Sequence, residues 1–227
     1  MQDHEFWQEF GHAAAPAPWT GAYPARLPDG RILMLPIRPL AGTRNAIASL
    51  ILNQASFGVE AALADLLADR LSAHGPEVVV GLPTLGLSLA RAVAERLGHG
   101  RYVPLGTSRK FWYDDALSVP ISSITTVDVA RRLYLDPRLA TLLKARRVAL
   151  IDDVISTGRS MTAGIELLGT LGIVPGVLGA AMLQSRRWAG ALPLPVEGVF
   201  ASPLLERVAG GWREASDQTA TVPGDTA

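Results

Sequence analysis

Two adjacent carboxylates, Asp152 and Asp153, follow an apolar run at residues 148–151. A run of this kind, without polar alternation, predicts a strand that is buried on both faces of a parallel sheet. In an open sheet with helices on both faces, ligands bind beyond the carboxyl ends of the strands. Two carboxylates at such a strand end suit vicinal hydroxyl groups, which donate hydrogen bonds, or a hydrated divalent cation.

The residues that follow the acidic pair are suited to an anion. They are Ser156, Thr157, Gly158, Arg159 and Ser160. A helix is predicted over residues 160–171, and the free N–H groups and positive dipole end of its first turn attract an anion. Small residues let the backbone wrap a phosphate group, and the hydroxyls add donors. Hydroxyl-binding acids beside a phosphate loop predict a site for a ribose 5-phosphate group; the alternative is an ordinary strand-to-helix turn with an acidic cap.

The whole string at residues 148–161, VALIDDVISTGRSM, resembles the phosphoribosyl-pyrophosphate signature of the type I phosphoribosyltransferases. The order of strands and helices fits the same family over residues 57–184. The resemblance implies an α/β fold, with an open parallel sheet flanked by helices and a small hood from the N-terminal hairpin, the C-terminal segment or both. It also implies that Asp152 and Asp153 contact the ribose hydroxyls, directly or through Mg²⁺ held with intervening water, and that residues 156–160 hold the 5-phosphate.

A second strand-to-helix loop, GLPTLG at residues 81–86, is similar to the pyrophosphate loop of the family. That loop binds pyrophosphate through backbone amides, often with a cis peptide bond, for which Thr84–Leu85 is the expected position. The resemblance therefore assigns the pyrophosphate to Pro83, Thr84, Leu85 and Gly86, and a purely structural turn is the alternative. Some relatives carry an arginine or a lysine here, whereas this loop has neither, so the pyrophosphate charge must be balanced elsewhere.

Residues 106–126 lack a clean period and predict a long loop, which in a compact domain is usually a functional lid or disordered. Within it, TSRKFWYDD at residues 107–115 places Arg109 and Lys110 beside three aromatic residues. In the family a flexible loop closes over the site here, so the resemblance implies that both cations approach the pyrophosphate and that the aromatics exclude water. The alternative is a solvated basic pair beside an aromatic patch. The other basic pairs, Arg186–Arg187 among them, are expected on the surface at strand or helix ends.

Four segments are predicted along the chain. They are an arm and β-hairpin with an Asp29–Gly30 turn at residues 1–56, a core at 57–184, a C-terminal hood segment at 185–212 and a polar, disordered tail at 213–227. Within the core, helices are predicted over residues 59–71 and 87–97, and strands over residues 77–80, 101–104 and 177–183. The hood is the most variable part of the family. Phe200 and Ile155 are the candidates for contact with the base, and core packing is the alternative for Phe200.

Composition argues against several kinds of protein. Twenty-one basic side chains balance 21 acidic ones, so the chain lacks the basic field of a nucleic-acid binder. No cysteine is present and the four histidines lack ligand spacing, which argues against disulfides and zinc sites. The sequence shows neither a secretory signal nor an apolar run of membrane-spanning length, so we expect a cytoplasmic protein that does not contact a membrane.

The family resemblance implies an enzyme that transfers the 5-phosphoribosyl group from phosphoribosyl pyrophosphate to a nitrogen of a base, with a purine favoured, and that releases pyrophosphate. It also implies Mg²⁺ as the cofactor and a homodimer as the assembly. The alternative is a regulatory protein that senses phosphoribosyl pyrophosphate without catalysis, although residues 1–56 show no helix-turn-helix pattern. A phosphatase or kinase that uses the acidic pair for Mg²⁺ is disfavoured, because the sequence has no G-x-x-x-x-G-K-[ST] loop.

Overall fold

The computed structural model describes residues 3–121 and 131–216, and it contains three α-helices and twelve strands within these ranges. The helices are α1 (Phe57–Ser72), α2 (Gly86–Arg96) and α3 (Arg159–Gly169). The strands are β1 (Ala22–Arg26), β2 (Ile32–Pro39), β3 (Asn45–Ala48), β4 (Val78–Gly81), β5 (Val103–Pro104), β6 (Ser118–Pro120), β7 (Arg132–Tyr134), β8 (Val148–Ile155), β9 (Val177–Gln184), β10 (Val196–Ser202), β11 (Leu204–Val208) and β12 (Gly211–Glu214). Over the described ranges, no helix combines the length and the apolar character that crossing a membrane requires.

The core is a five-stranded sheet with the order β10-β9-β8-β4-β5, in which every neighbouring pair is parallel. Leu67 of α1 and Val93 of α2 belong to one apolar cluster with Ile151 of β8. Leu167 of α3 belongs to a second cluster with Leu150 of β8. Because neighbouring strand residues point to opposite faces, α1 and α2 cover one face and α3 covers the other. The predicted open parallel sheet flanked by helices is confirmed.

A second five-stranded sheet, with the order β1-β2-β3-β11-β12, is antiparallel throughout and forms a hood. Its two halves come from segments far apart in the sequence, and β11 joins them by pairing Leu204 with Ile47 of β3. Only Pro203 separates β10 of the parallel sheet from β11, so the hood continues directly from the core. The predicted hood is confirmed, and both the N-terminal and the C-terminal segments contribute to it.

The long loop predicted at residues 106–126 contains regular structure. A 3-10 turn at Asp115–Leu117 leads into β6, which pairs antiparallel with β7. Each of these strands is three residues long, too short to leave a periodic signal in the sequence. Residues 122–130 of the predicted loop lie outside the described residues.

The hood extends beyond its predicted C-terminal boundary. β12 runs to Glu214, so the prediction of a disordered tail is wrong for Arg213 and Glu214. Arg213 lies opposite Glu206 of β11 and donates from Nε to its Oε1 at 2.7 Å. A charged cross-strand pair explains why these polar residues form a strand. Residues 217–227 lie outside the described residues.

Candidate functional site

The acidic pair lies inside β8 rather than beyond its end. β8 continues to Ile155 and remains paired with β9 up to that residue. Its pairing with β4 on the other side stops at Ile151. The predicted strand end at Ile151 is therefore correct on the β4 side and wrong on the β9 side. One edge of Asp152 and Asp153 is held by β9, and the other edge faces the loop that leads from β4 to α2.

Both carboxyl groups are buried, with Asp152 8% exposed and Asp153 6% exposed. The backbone N–H of Asp153 donates to Oδ1 of Asp152 at 3.0 Å. Burial, followed by repulsion from the Asp153 carboxylate, raises the pKa of Asp152 well above its ordinary value. Burial also raises the pKa of Asp153. Burial therefore disfavours the charged form of the pair, whereas hydrogen-bond donors or a cation placed beside it would favour that form.

Helix α2 begins at Gly86, directly beside the acidic pair. A β-carbon on Gly86 would lie 2.7 Å from both Cα and Oδ1 of Asp152, closer than β-carbons approach other atoms in real structures. The close approach of α2 to β8 therefore requires glycine at this position. The preceding residue, Leu85, makes no side-chain hydrogen bond to the first turn of α2, so no side-chain cap competes for the N–H groups of that turn.

The rest of the predicted pyrophosphate loop lies at the same edge of the sheet. Its cis peptide bond joins Pro83 to Thr84, so the position expected from the family, Thr84–Leu85, is wrong by one residue. Thr84 is exposed, and Pro83 and Leu85 are half-buried. The structure thus brings this loop next to Asp152 through Gly86, as its position after β4 predicts.

The loop from β8 to α3 forms a small pocket of about 80 Å³. Its lining consists of Asp152 and residues 154–161. Gly158 has φ +82° immediately before α3, a conformation that glycine adopts without steric cost. α3 begins at Arg159, and no side chain caps its first turn. All five predicted phosphate-binding residues, Ser156 to Ser160, thus surround one small pocket together with Asp152.

Arg187 reaches the same loop, although the sequence placed it among the surface pairs. Its Nη2 donates to Oγ of Ser156 at 3.1 Å, and its Nε donates to Oγ of Ser185 at 3.3 Å. Arg187 follows the carboxyl end of β9, and β9 lies next to β8 in the sheet. The carboxyl ends of neighbouring parallel strands lie at the same edge of the sheet. A basic pair directly after β9, the strand beside the acidic strand β8, was therefore the signal that could have identified Arg187.

Arg109, one of the two cations of the predicted lid, has a partner outside the candidate site. Arg109 donates from Nε to Oδ1 of Asp115 at 2.7 Å. Phe111 is 91% exposed, and Trp112 donates from Nε1 to Oδ2 of Asp136 at 3.3 Å. Among residues 3–121 and 131–216, no hydrogen bond or ion pair joins Arg109 or Lys110 to the acidic pair or to residues 156–160. The structure therefore does not bring the lid cations into the site.

The two residues proposed to contact a base are buried. Phe200 and Ile155 are each 2% exposed. Phe200 belongs to the apolar cluster on the α1 and α2 side of the sheet, and Ile155 belongs to the cluster on the α3 side. This placement favours core packing for Phe200, the alternative that the sequence left open. The ambiguity was visible in the sequence, since an aromatic residue after a core strand serves packing as readily as binding.

The sequence profile of the phosphoribosyl transferase domain matches residues 51–187, more than half of the chain. The chain belongs to the phosphoribosyl transferase family. The matched residues include both loops that meet at Asp152 and extend to Arg187. The region that matches the family therefore contains the candidate site.

Relatives within the family have different names. The transcriptional regulator GfcR of Archaeoglobus fulgidus is 34% identical over 112 residues, which are 48% of this chain and 48% of that protein. An adenine phosphoribosyltransferase of Albidiferax ferrireducens is 31% identical over 134 residues, which are 58% of this chain and 63% of that protein. The chain thus spans between about half and somewhat under two thirds of the length of these curated relatives.

Solved structures show the same fold. The adenine phosphoribosyltransferase of Thermoanaerobacter pseudethanolicus superposes with a TM-score of 0.54 and 18% identity, over 63% of this chain and 81% of that chain. The enzyme of the same name from Saccharomyces cerevisiae gives a TM-score of 0.50 and 22% identity, over 63% of this chain and 81% of that chain. At this level of identity the likeness concerns the fold alone.

Proposed function

We propose that this member of the phosphoribosyl transferase family transfers the 5-phosphoribosyl group of phosphoribosyl pyrophosphate to a nitrogenous base and releases pyrophosphate. The observation that supports this most directly is the position of Asp152, which lines the pocket before α3 and also contacts Gly86 at the start of α2. One substrate can span both loops, with its ribose hydroxyls at the acidic pair. Its 5-phosphate would then lie in the loop before α3, and its pyrophosphate at residues 83–86.

The chain's own groups would act on the charges that develop when pyrophosphate departs. The sugar becomes positive and the leaving group becomes negative. Ionised Asp152 and Asp153 would accept hydrogen bonds from the ribose hydroxyls and favour positive charge on the sugar. The backbone N–H groups from Thr84 to Gly86 would donate to the leaving pyrophosphate. Catalysis of this kind relies on positioning and electrostatics rather than on a covalent intermediate with the protein.

The donor set of the acidic pair fits Mg²⁺. Mg²⁺ is usually held by one or two carboxylates together with substrate phosphates and water. Asp152 and Asp153 offer two adjoining carboxylates, and a cation beside them would offset the burial and repulsion that raise the pKa of Asp152. These two residues would hold the ion, through water or directly. When bound, Mg²⁺ would neutralise charge on the pyrophosphate.

We assign Arg109 and Lys110 to a segment that closes over the pyrophosphate. Because Arg109 is paired with Asp115, closure would exchange this carboxylate for the pyrophosphate. Phe111 and Trp112, both exposed, would then cover the site. Their aromatic rings would keep water away from the activated sugar.

We propose that the acceptor base is a purine and that it binds between the hood and the core. Relatives named adenine phosphoribosyltransferase support the purine. In this arrangement the parallel sheet, which includes β10, forms the core together with its helices, and β1, β2, β3, β11 and β12 supply the hood. We also propose a homodimer, which light scattering after gel filtration would test.

A second candidate is a regulator that binds phosphoribosyl pyrophosphate without turning it over, and the relative named transcriptional regulator GfcR favours it. Pyrophosphate release separates the two functions. The protein is incubated with phosphoribosyl pyrophosphate, Mg²⁺ and a panel of purine and pyrimidine bases. Release with at least one base, lost in Asp153→Asn and kept in the exposed control Glu166→Gln, would support the enzyme. Binding of the sugar pyrophosphate without release for any base would support the regulator.

A further inference from the structure

The segment that follows β9 packs against the loop before α3. Ser185 is fully buried, and its N–H donates to the carbonyl oxygen of Ser202 at 2.8 Å. Leu192, also buried, covers the other end of the segment, since a β-carbon on Gly158 would lie 3.2 Å from two carbons of Leu192. Arg187 lies between these two fixed points. Its backbone is therefore held beside the pocket by contacts on both sides.

Among the described residues, the partners of the Arg187 guanidinium are neutral. It donates to the hydroxyl oxygens of Ser156 and Ser185. Within residues 3–121 and 131–216, no carboxylate forms an ion pair with Arg187, whereas at least seven other arginines have one. A guanidinium has five N–H donors and remains charged at any physiological pH. Arg187 therefore carries an uncompensated charge and unused donors at the rim of the pocket.

A phosphate group in this pocket would supply what Arg187 lacks. Ser156, to which Arg187 donates, is itself part of the pocket lining. A phosphate oxygen at the same place would accept a charge-assisted hydrogen bond, which is roughly twice as strong as a bond between neutral groups. The planar fork of arginine also matches two phosphate oxygens at once. β9 and β4 lie on opposite sides of β8. Because Arg187 follows β9 and the predicted pyrophosphate loop follows β4, Arg187 lies beside the loop before α3 and not beside the pyrophosphate loop.

We infer that Arg187 binds the 5-phosphate of the substrate directly and makes the site select phosphorylated ribose. The inference rests on the proposed function for the identity of the ligand, but its geometry depends only on the pocket before α3. It also adds a positive charge to a loop whose other expected donors to phosphate are mainly backbone amides and hydroxyls. Arg159 is the other cation of this loop and lies exposed at the first turn of α3.

Isothermal titration calorimetry on the full chain tests the inference with three ligands: ribose 5-phosphate, phosphoribosyl pyrophosphate with Mg²⁺, and pyrophosphate with Mg²⁺. Arg187→Gln removes the charge, and Arg187→Lys keeps the charge but loses the fork. Arg186→Gln is the matched control. Arg186 is adjacent to Arg187 and is also exposed, and its replacement changes the net charge by the same amount. Thermal unfolding of each variant confirms that the exposed substitutions leave the fold intact.

We expect Arg187→Gln to lower the affinity for ribose 5-phosphate and for phosphoribosyl pyrophosphate by a similar factor. The expected loss is about tenfold to hundredfold, as for a lost hydrogen bond to a charged group. Arg187→Lys should lower these two affinities by a smaller factor. The affinity for pyrophosphate should not change in either variant. Arg186→Gln should stay within about twofold of wild type for all three ligands. Equal affinities in Arg187→Gln and Arg186→Gln would overturn the inference, as would a loss confined to pyrophosphate.

The wild-type protein separates this inference from the proposed function. Tight binding of ribose 5-phosphate that depends on Arg187, without binding or turnover of phosphoribosyl pyrophosphate, would uphold the role of Arg187 and refute the transferase. Turnover that is insensitive to Arg187 would uphold the transferase and refute this role. Failure of the wild-type protein to bind any of the three ligands would refute both.

Discussion

Gly86 and Asp152 are in such close contact that a β-carbon on Gly86 would lie 2.7 Å from both Cα and Oδ1 of Asp152. This contact joins the start of α2 to the acidic pair in β8. Since one of the two atoms is backbone, the clash could not be relieved by rotating a side chain. The distance between the two loops of the candidate site is therefore set by the absence of a side chain at residue 86.

Gly86→Ala should separate the two loops. We expect a loss of about 1–3 kcal/mol in the free energy of unfolding, as for overpacking in a tight site. Affinity for phosphoribosyl pyrophosphate should fall at least tenfold, with a smaller effect on ribose 5-phosphate, which does not need the α2 loop. Urea denaturation and calorimetry measure the two effects. Gly169→Ala is the control, since a β-carbon there meets no atom within 4 Å. Wild-type stability and affinity in Gly86→Ala would contradict the role of this contact.

Asp152→Asn should stabilise the ligand-free protein at neutral pH. Burial and the Asp153 carboxylate raise the pKa of Asp152 in the folded protein, so the folded state binds a proton more tightly than the unfolded state does. The stability from this group is then fully present below the unfolded pKa of about 4 and is lost as the pH rises through the higher folded pKa. Asparagine is neutral throughout, so the variant should lack this decline and should be more stable than wild type at pH 8.

Urea denaturation of wild type and Asp152→Asn at pH 5 and pH 8 measures this difference. The gap between the two proteins should widen with pH. Glu166→Gln, at an exposed position on α3, is the control and should show no such trend. A gap that narrows as the pH rises would mean that the native pair stabilises the charged form even without ligand.

Arg109→Gln should reduce turnover without affecting the 5-phosphate end of the site. If Arg109 leaves Asp115 to meet pyrophosphate, its loss should lower kcat about tenfold or more, since it would act on charge that develops during the reaction. Affinity for ribose 5-phosphate should not change. Arg146→Gln is a suitable control, because Arg146 is also exposed and has a carboxylate partner, Glu77 at 3.5 Å. Steady-state kinetics with unchanged kcat in Arg109→Gln would remove this residue from the mechanism.

Trp212→Ala should destabilise the hood. Trp212 in β12 is buried, and its backbone exchanges two hydrogen bonds of 2.8 Å with Trp19. Replacing a buried tryptophan by alanine typically costs about 3–5 kcal/mol. The neighbouring Arg213→Ala, which removes only a surface ion pair, should cost about 1 kcal/mol or less. Urea denaturation distinguishes them, and similar values for the two variants would show that the β12 edge contributes little to stability.

The sequence predicted the core sheet better than the hood. The core elements are recognisable from patterns within short windows of sequence, whereas the hood strands depend on pairing between distant segments. β8 and β9 are eight residues long and begin with apolar runs, and α1 and α3 show apolar residues on one face, so each element could be recognised in its own window. The hood strands β3 and β12 are four residues long. Their stability comes from partners that are distant in the sequence, which no local window contains.

The candidate site shows the same division. The acidic pair and residues 156–160 could be recognised as a candidate site because their residue types and spacing are contiguous in the sequence. Whether Phe200 packs in the core could not be decided from the sequence, because its burial depends on α1 and the hood packing around it. Arg187 was missed because its contact with Ser156 arises only when β9 aligns beside β8. Residue type alone could not distinguish it from Arg186.

The pairing of β3 with β11 has a consequence for the order in which the protein can form. The parallel sheet is complete once β10 has been synthesised, whereas the antiparallel sheet needs β11 and β12, which follow it. Until then β1, β2 and β3 present an open edge, and contacts between distant segments form slowly. On the ribosome the parallel sheet could therefore assemble first, and the antiparallel sheet would be completed last.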